Sequence, residues 1–110
     1  MEKIKINLII NNPDVPYKYN GDAKEYNDII EFYNKDENVI YDKTMNRITK
    51  TNKNNTIIID FINKEIIIKY KENELKTNIN VLKEEKTNNR FYYLYELEKN
   101  IIEFILEKEV

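Results

Sequence analysis

The chain has no cysteine, no histidine and no serine, and it has one glycine, Gly21, and one alanine, Ala23. Without cysteine there is no disulfide, thiol nucleophile, thiolate metal site or iron–sulfur cluster. Without histidine the commonest general base and the commonest metal ligand are both missing. Ser-His-Asp and Cys-His catalysis and His-containing zinc sites are therefore impossible. A single glycine cannot build a phosphate-cradling loop, and neither GxGxxG nor GxxxxGK[ST] occurs. The sequence thus carries no cofactor motif. Long apolar runs are also missing. Leu8-Ile9-Ile10 and Ile57-Ile58-Ile59 are typical, far short of the ~20 residues that span a bilayer. The opening Lys3-Ile4-Lys5-Ile6 alternation is unlike the apolar stretch of a signal peptide. These features predict a cytoplasmic protein without membrane contact.

What remains is 110 residues, 41% of them hydrophobic and 35% charged, with net charge −2. That is one domain, residues 1–110, with enough apolar material for a modest core. The chain holds 19 Ile, 18 Asn and 16 Lys against two Arg. These are residues with AT-rich codons and point to a low-GC source, so Asn-richness by itself is not read as a structural signal.

Short runs rich in Ile, Tyr, Phe and Val alternate with polar clusters, the pattern of an antiparallel all-β meander. Ile4, Ile6, Leu8 and Ile10 fall on one face of a first strand. Pro13 and Pro16 interrupt it, and a loop is expected through Asn20-Gly21-Asp22. The strongest local signal is a hairpin over 56–71 with a two-residue turn at Asn63-Lys64. That turn pairs Phe61 with Ile66, Ile59 with Ile68 and Ile57 with Tyr70, and makes these residues a core face. It also sets Asp60 diagonally across from Lys69.

A second hairpin is expected at 91–106 around Lys99-Asn100, with Phe91, Tyr93, Tyr95 and Leu97 facing Ile102, Phe104 and Leu106. Its defect is Glu96 opposite Glu103. A C-terminal helix over 94–107, giving an α+β fold, competes through Leu94, Leu97, Ile101, Phe104 and Ile105. Residues 25–34 fit a helix stripe and a strand face equally.

The opening Ile4-Lys5-Ile6 strand before Asn20-Gly21-Asp22, the Thr56-Ile57-Ile58-Ile59 hairpin and the closing Tyr93-Leu94-Tyr95-Glu96-Leu97-Glu98 run together resemble a family of small uncharacterised low-GC bacterial proteins. That family has a calycin-like β-barrel, the architecture shared with lipocalins. The resemblance implies a meander closing into a small barrel or a strongly curved sheet. It carries no catalytic residues and no cofactor.

The only acid–base material is carboxylate. Asp28 and Glu31 would meet on a helix, but no spacing is diagnostic of catalysis. The chain is therefore read as non-catalytic. Nine tyrosines stand out; Tyr26, Tyr70, Tyr93 and Tyr95 are the candidates to line a small-molecule site. Nucleic acid is disfavoured, because its binding rests on basic charge and the pI is near 5.3. The one basic cluster, Arg47, Lys50 and Lys53, reads as a solvated loop. The face of the central hairpin opposite the core carries Ile58, Ile62 and Ile67 beside Asp60 and Lys69. It is a candidate contact surface for a protein partner or a second copy in a homodimer. Two functions follow: a binding module for an unidentified small ligand, or an interaction factor such as a small acidic phage or host-defence inhibitor.

Overall fold

The computed structural model describes residues 1–109. The fold is all-β and antiparallel, with no helix among the described residues. In chain order the strands are β1 (Glu2–Asn11), β2 (Tyr17–Tyr26), β3 (Ile29–Asn34), β4 (Glu37–Asp42), β5 (Arg47–Thr51), β6 (Asn55–Asp60), β7 (Glu65–Tyr70), β8 (Asn73–Asn78), β9 (Asn80–Lys86), β10 (Arg90–Leu97) and β11 (Asn100–Glu109). Neither 25–34 nor 94–107 is helical: both fold as strand–turn–strand, so the helical alternative falls. Aromatic and branched residues prefer the pleated surface, where each packs against cross-strand neighbours.

The chain divides into two compact units, one of Met1–Lys3 with Ala23–Asn78, the other of Ile4–Asp22 with the chain from Ile79 onward. In the first, β3 to β8 form a meander in which each strand pairs with the next. The last residues of β2, Lys24–Tyr26, pair with β3. The core is one face: Ile30, Phe32, Val39, Tyr41, Ile48, Ile59 and Ile66 are buried. In the second unit, β1 pairs with β11, β11 with β10, and β10 with β9. Its core consists of Ile6, Leu8 and Ile10 from β1, Phe91, Tyr93 and Tyr95 from β10, and Ile102, Phe104 and Leu106 from β11. The register sets Ile10 beside Phe104 and Phe104 beside Tyr93. A bulge between Leu94 and Tyr95 shifts the pairing with β9.

With one glycine available, the turns are built differently from those of most β-proteins. Asn27, Lys35, Asn46, Lys64, Lys71 and Glu98 take positive φ, between 48° and 59°. Each costs about 1 kcal/mol relative to glycine. Side-chain caps recur in the longer connections. Asn12, Asp42, Asn52 and Asp60 each accept, through Oδ1, the amides two and three residues on. Thr87 does the same through Oγ1. This is the Asx-turn and ST-turn chemistry that lets Asn, Asp and Thr replace glycine.

Both expected hairpin registers are corrected, the central one by such a cap. At the central hairpin Asp60 Oδ1 accepts the amides of Ile62 at 3.1 Å and Asn63 at 2.8 Å, and Oδ2 accepts from Asn63 Nδ2 at 2.9 Å. The connection is therefore four residues, 61–64, with positive φ at Lys64 and not at Asn63. Ile59 pairs with Ile66, Ile57 with Ile68 and Asn55 with Tyr70, two residues away from the sequence expectation. Asp60 pairs with Glu65 and does not reach Lys69. A shift of two keeps every side chain on its face, whereas a shift of one would not. Ile59, Phe61 and Ile66 are buried as expected; Ile57 is half-buried and Ile68 exposed.

At the C-terminal hairpin the turn is Glu98-Lys99 in place of Lys99-Asn100. Glu103 then faces Leu94, and Glu96 faces Ile101, which removes the expected carboxylate opposition. A further correction concerns Asn20-Gly21-Asp22, which lies inside β2 and not in a loop. An added Cβ at Gly21 would lie 3.0 Å from the Tyr19 hydroxyl. That hydroxyl donates to the Asp22 carbonyl at 2.6 Å. The glycine thus makes room for an aromatic ring and does not serve a turn.

Candidate functional site

On the core face of the first unit, side chains form cross-strand rows. The first row, Ile30, Tyr41, Ile48, Ile59 and Ile66, is buried throughout. The second runs Phe32, Val39, Lys50, Ile57, Ile68 and Leu75. It begins dry, passes through the half-buried Lys50 and Ile57, and ends with Ile68 36% and Leu75 61% exposed. The third is polar: Asn34 pairs with Glu37, Asn55 with Tyr70 and Tyr70 with Asn73, and the Asn52 amide donates to the Asn55 carbonyl. One face thus grades from a dry core to a wet end, with two exposed aliphatic side chains and one lysine at the boundary.

By sequence Lys50 groups with Arg47 and Lys53 as a solvated loop. The structure separates them. Lys50 and Arg47 stand on opposite faces of β5, because an odd separation on a strand reverses the side chain. Lys53 lies in the turn beyond. Burial lowers the Lys50 ammonium pKa, an effect partly offset by the nearby Glu37 carboxylate. The signal was present in the spacing: Lys50 follows the apolar Ile48 by two residues. At the same wet end the Lys71 ammonium sits 5.3 Å above the Tyr70 ring.

The four candidate tyrosines do not form one group. Tyr26 and Tyr70 belong to the first unit but lie on β2 and β7, which are not neighbours. The Tyr26 hydroxyl donates to Glu31 at 3.1 Å, and Tyr70 is 47% exposed. Tyr93 and Tyr95 are in the core of the second unit. The Tyr93 ring lies 6.0 Å from that of Phe104, tilted by 58°. Burial raises the Tyr95 hydroxyl pKa. Of the four, Tyr70 alone stands at the graded face. Asp28 and Glu31 do not meet as a catalytic pair either: Asp28 lies in a turn, and Glu31 is occupied by Tyr26.

The residues of the candidate contact surface share a face only in part. On the opposite face of the first unit, Glu31, Ile40, Thr49, Ile58, Ile67 and Lys76 form a single cross-strand row. Ile58 and Ile67 are direct partners in it. Ile40, which stands outside the hairpin, extends it through Thr49. Asp60 is withdrawn as a turn cap, and Ile62 is in the connecting turn. Lys69 stands in the next row with Glu74 at 4.0 Å.

In the second unit, Glu103 on β11 accepts from the Tyr92 hydroxyl at 2.7 Å and from Asn11 Nδ2 at 2.8 Å. The Tyr92 hydrogen bond is the main reason the Glu103 pKa is lowered, and it raises that of Tyr92. Arg90 bridges to Glu85 at 3.2 Å and to Glu107 at 3.6 Å and lies over the Tyr92 ring. This network ties β9, β10, β11 and β1 together.

No helix among the described residues is long and apolar enough to cross a membrane. Compared with known proteins, the chain matches no family model, no curated protein and no solved structure.

Proposed function

We propose that the chain is a small, non-catalytic binding module of calycin-like organisation, whose small-molecule ligand seats on the graded face of the first unit. The observation that carries the reading is the continuation of a buried row into Ile68 and Leu75, which are left exposed beside Tyr70. Leaving apolar surface wet costs about 25 cal/mol per Å². A ligand that covers it recovers that cost, and a mostly apolar seat with a few polar groups is the common form of small-molecule sites.

The test is titration with N-phenyl-1-naphthylamine, an uncharged dye that fluoresces on apolar surface. Saturable binding is expected, with a Kd in about the micromolar range. Leu75→Asp should weaken it at least about tenfold, with no change in the unfolding midpoint, since Leu75 is 61% exposed. Absence of saturable binding, or an unchanged affinity in the variant, overturns the reading.

A second reading, self-association, is favoured by the charge order of the opposite face. Its row starts at Glu31 and ends at Lys76. A two-fold axis parallel to the strands would lay Glu31 against Lys76, Ile40 against Ile67 and Thr49 against Ile58 of a second copy. Such self-complementarity is what a two-fold interface requires. Under this reading Ile58→Lys stays folded and converts a dimer to a monomer in sedimentation. A monomeric parent chain refutes it.

A further inference from the structure

We propose that the edge strand β8 pairs, antiparallel, with β8 of a second copy of this chain in one register. Leu75 lies against its own counterpart, and Glu74 of each copy lies against Lys76 of the other. The inference is independent of the ligand reading above and uses the edge of the sheet, not its faces.

β8 ends the strand order of the sheet, so among the described residues no strand pairs with its outer side. Asn73, Glu74, Leu75 and Lys76 are all exposed. Tyr70 pairs with Asn73 across a connection of only Lys71 and Glu72. So short a turn closes on a pair that exchanges both backbone hydrogen bonds, and such pairs alternate along an antiparallel ladder. Asn73, Leu75 and Thr77 therefore direct their amide and carbonyl groups at β7. Those of Glu74, Lys76 and Asn78 point to the open edge. Such an edge is a template for another strand.

The usual protection is charge, which sets like against like when two copies meet. On β8 it fails in one register. Outward-facing groups must meet outward-facing groups, so a two-fold pairing within the charged stretch centres on Glu74, Leu75 or Lys76. A centre on Glu74 opposes two carboxylates, and a centre on Lys76 opposes two ammonium groups. A centre on Leu75 sets Glu74 against Lys76 twice. Glu74 already lies 4.0 Å from Lys69 and 3.9 Å from Lys76 of its own chain. Lys76 of the second copy would stand on the far side of Glu74 from Lys69, extending a row of alternating charge.

The same register serves the other face of the strand. The row Ile57, Ile68 and Leu75 continues into Leu75, Ile68 and Ile57 of the second copy. Leu75 is 61% exposed, and the pair it forms with its counterpart is the kind without mutual hydrogen bonds, in which side chains approach most closely. A two-fold pairing uses both β8 edges and so closes at the dimer.

Sedimentation equilibrium of the full chain should show a monomer–dimer equilibrium with a Kd in about the micromolar range, as befits a small contact. Glu74→Lys and Lys76→Glu each oppose like charges and should weaken it at least about tenfold. An equimolar mixture of the two variants restores opposite charges at both contacts and should dimerise like the parent. Pairing through a face of the sheet would leave Glu74→Lys dimeric and gain nothing from mixing. Because the chain has no cysteine, Leu75→Cys supplies one thiol per copy. On oxidation it should cross-link at least about tenfold faster than Asn73→Cys, since a disulfide needs closely facing Cβ atoms. A parent chain that stays monomeric up to about 1 mM, single variants that stay dimeric, or a mixture that stays monomeric overturns the pairing. Equal cross-linking at 73 and 75 overturns its register.

Discussion

Replacing Phe104 by alanine should lower the stability by about 3–5 kcal/mol, the range for removal of a fully buried ring. Phe104 has no exposed surface. It lies between Ile10 on β1 and Tyr93 on β10, with its ring 6.0 Å from the Tyr93 ring. Three strands therefore lose contacts at once, and the remaining side chains are held by their ladders and cannot collapse into the void. A domain of this size holds roughly 5–15 kcal/mol in total, so the variant should unfold at a much lower urea concentration. Phe104→Leu, which refills most of the volume, should cost less than half as much. A loss under about 1 kcal/mol for the alanine variant would show that β11 does not present Phe104 to this core.

The second large effect is expected in the first unit, as a contrast between two isoleucines on one face. Ile59→Ala should cost about 2–5 kcal/mol, because Ile59 is 6% exposed and sits between Ile48 and Ile66 in the dry row. Ile68→Ala should cost no more than about 1 kcal/mol, since Ile68 is already 36% exposed. Urea unfolding of both variants, without added ligand, measures the difference. Equal and large losses would mean that the second row is dry all the way to β8, and the seat for a ligand would vanish with its exposure. A small loss at Ile59 would mean that the hairpin has slipped by one residue and turned that face outward.

The two hairpins show how far pattern reading reaches. Ile57, Ile59, Ile66 and Ile68 do share a face, as their alternation implies, and so do Phe91, Tyr93 and Tyr95 with Ile102, Phe104 and Leu106. Side-chain alternation has period two, so a turn misplaced by two residues leaves every face assignment intact. The partners were displaced nonetheless, since Asp60 captures the Ile62 and Asn63 amides and lengthens one turn, while Glu98 takes the left-handed conformation in the other. Neither event has a strong sequence signature. Asp before a run of Ile and Asn reads as a strand residue, and Glu is a rare occupant of positive φ. The candidate site was less legible still. Lys50 was hidden among charged neighbours, and the tyrosines that drew attention by number went to separate places.

By itself the sequence excluded chemistry that needs histidine, cysteine or serine and favoured strands over most of the chain, while leaving 25–34 and 94–107 open to helix. The missing histidine, cysteine and serine remove whole families of reaction whatever the fold, and alternation of Ile, Tyr and Phe with polar residues is a local property that selects strand over helix. Only the tertiary structure decided which apolar residues end up dry. Ile59 and Ile68 are equivalent in pattern, yet one is flanked by apolar partners in a buried row and the other stands at the boundary of a polar row. Burial depends on what the neighbouring strands bring alongside, and that follows from turns set by single hydrogen bonds. The same cause places Lys50 where an ammonium meets exposed aliphatic surface, an arrangement assembled from β5, β6, β7 and β8 that no one of those segments specifies alone.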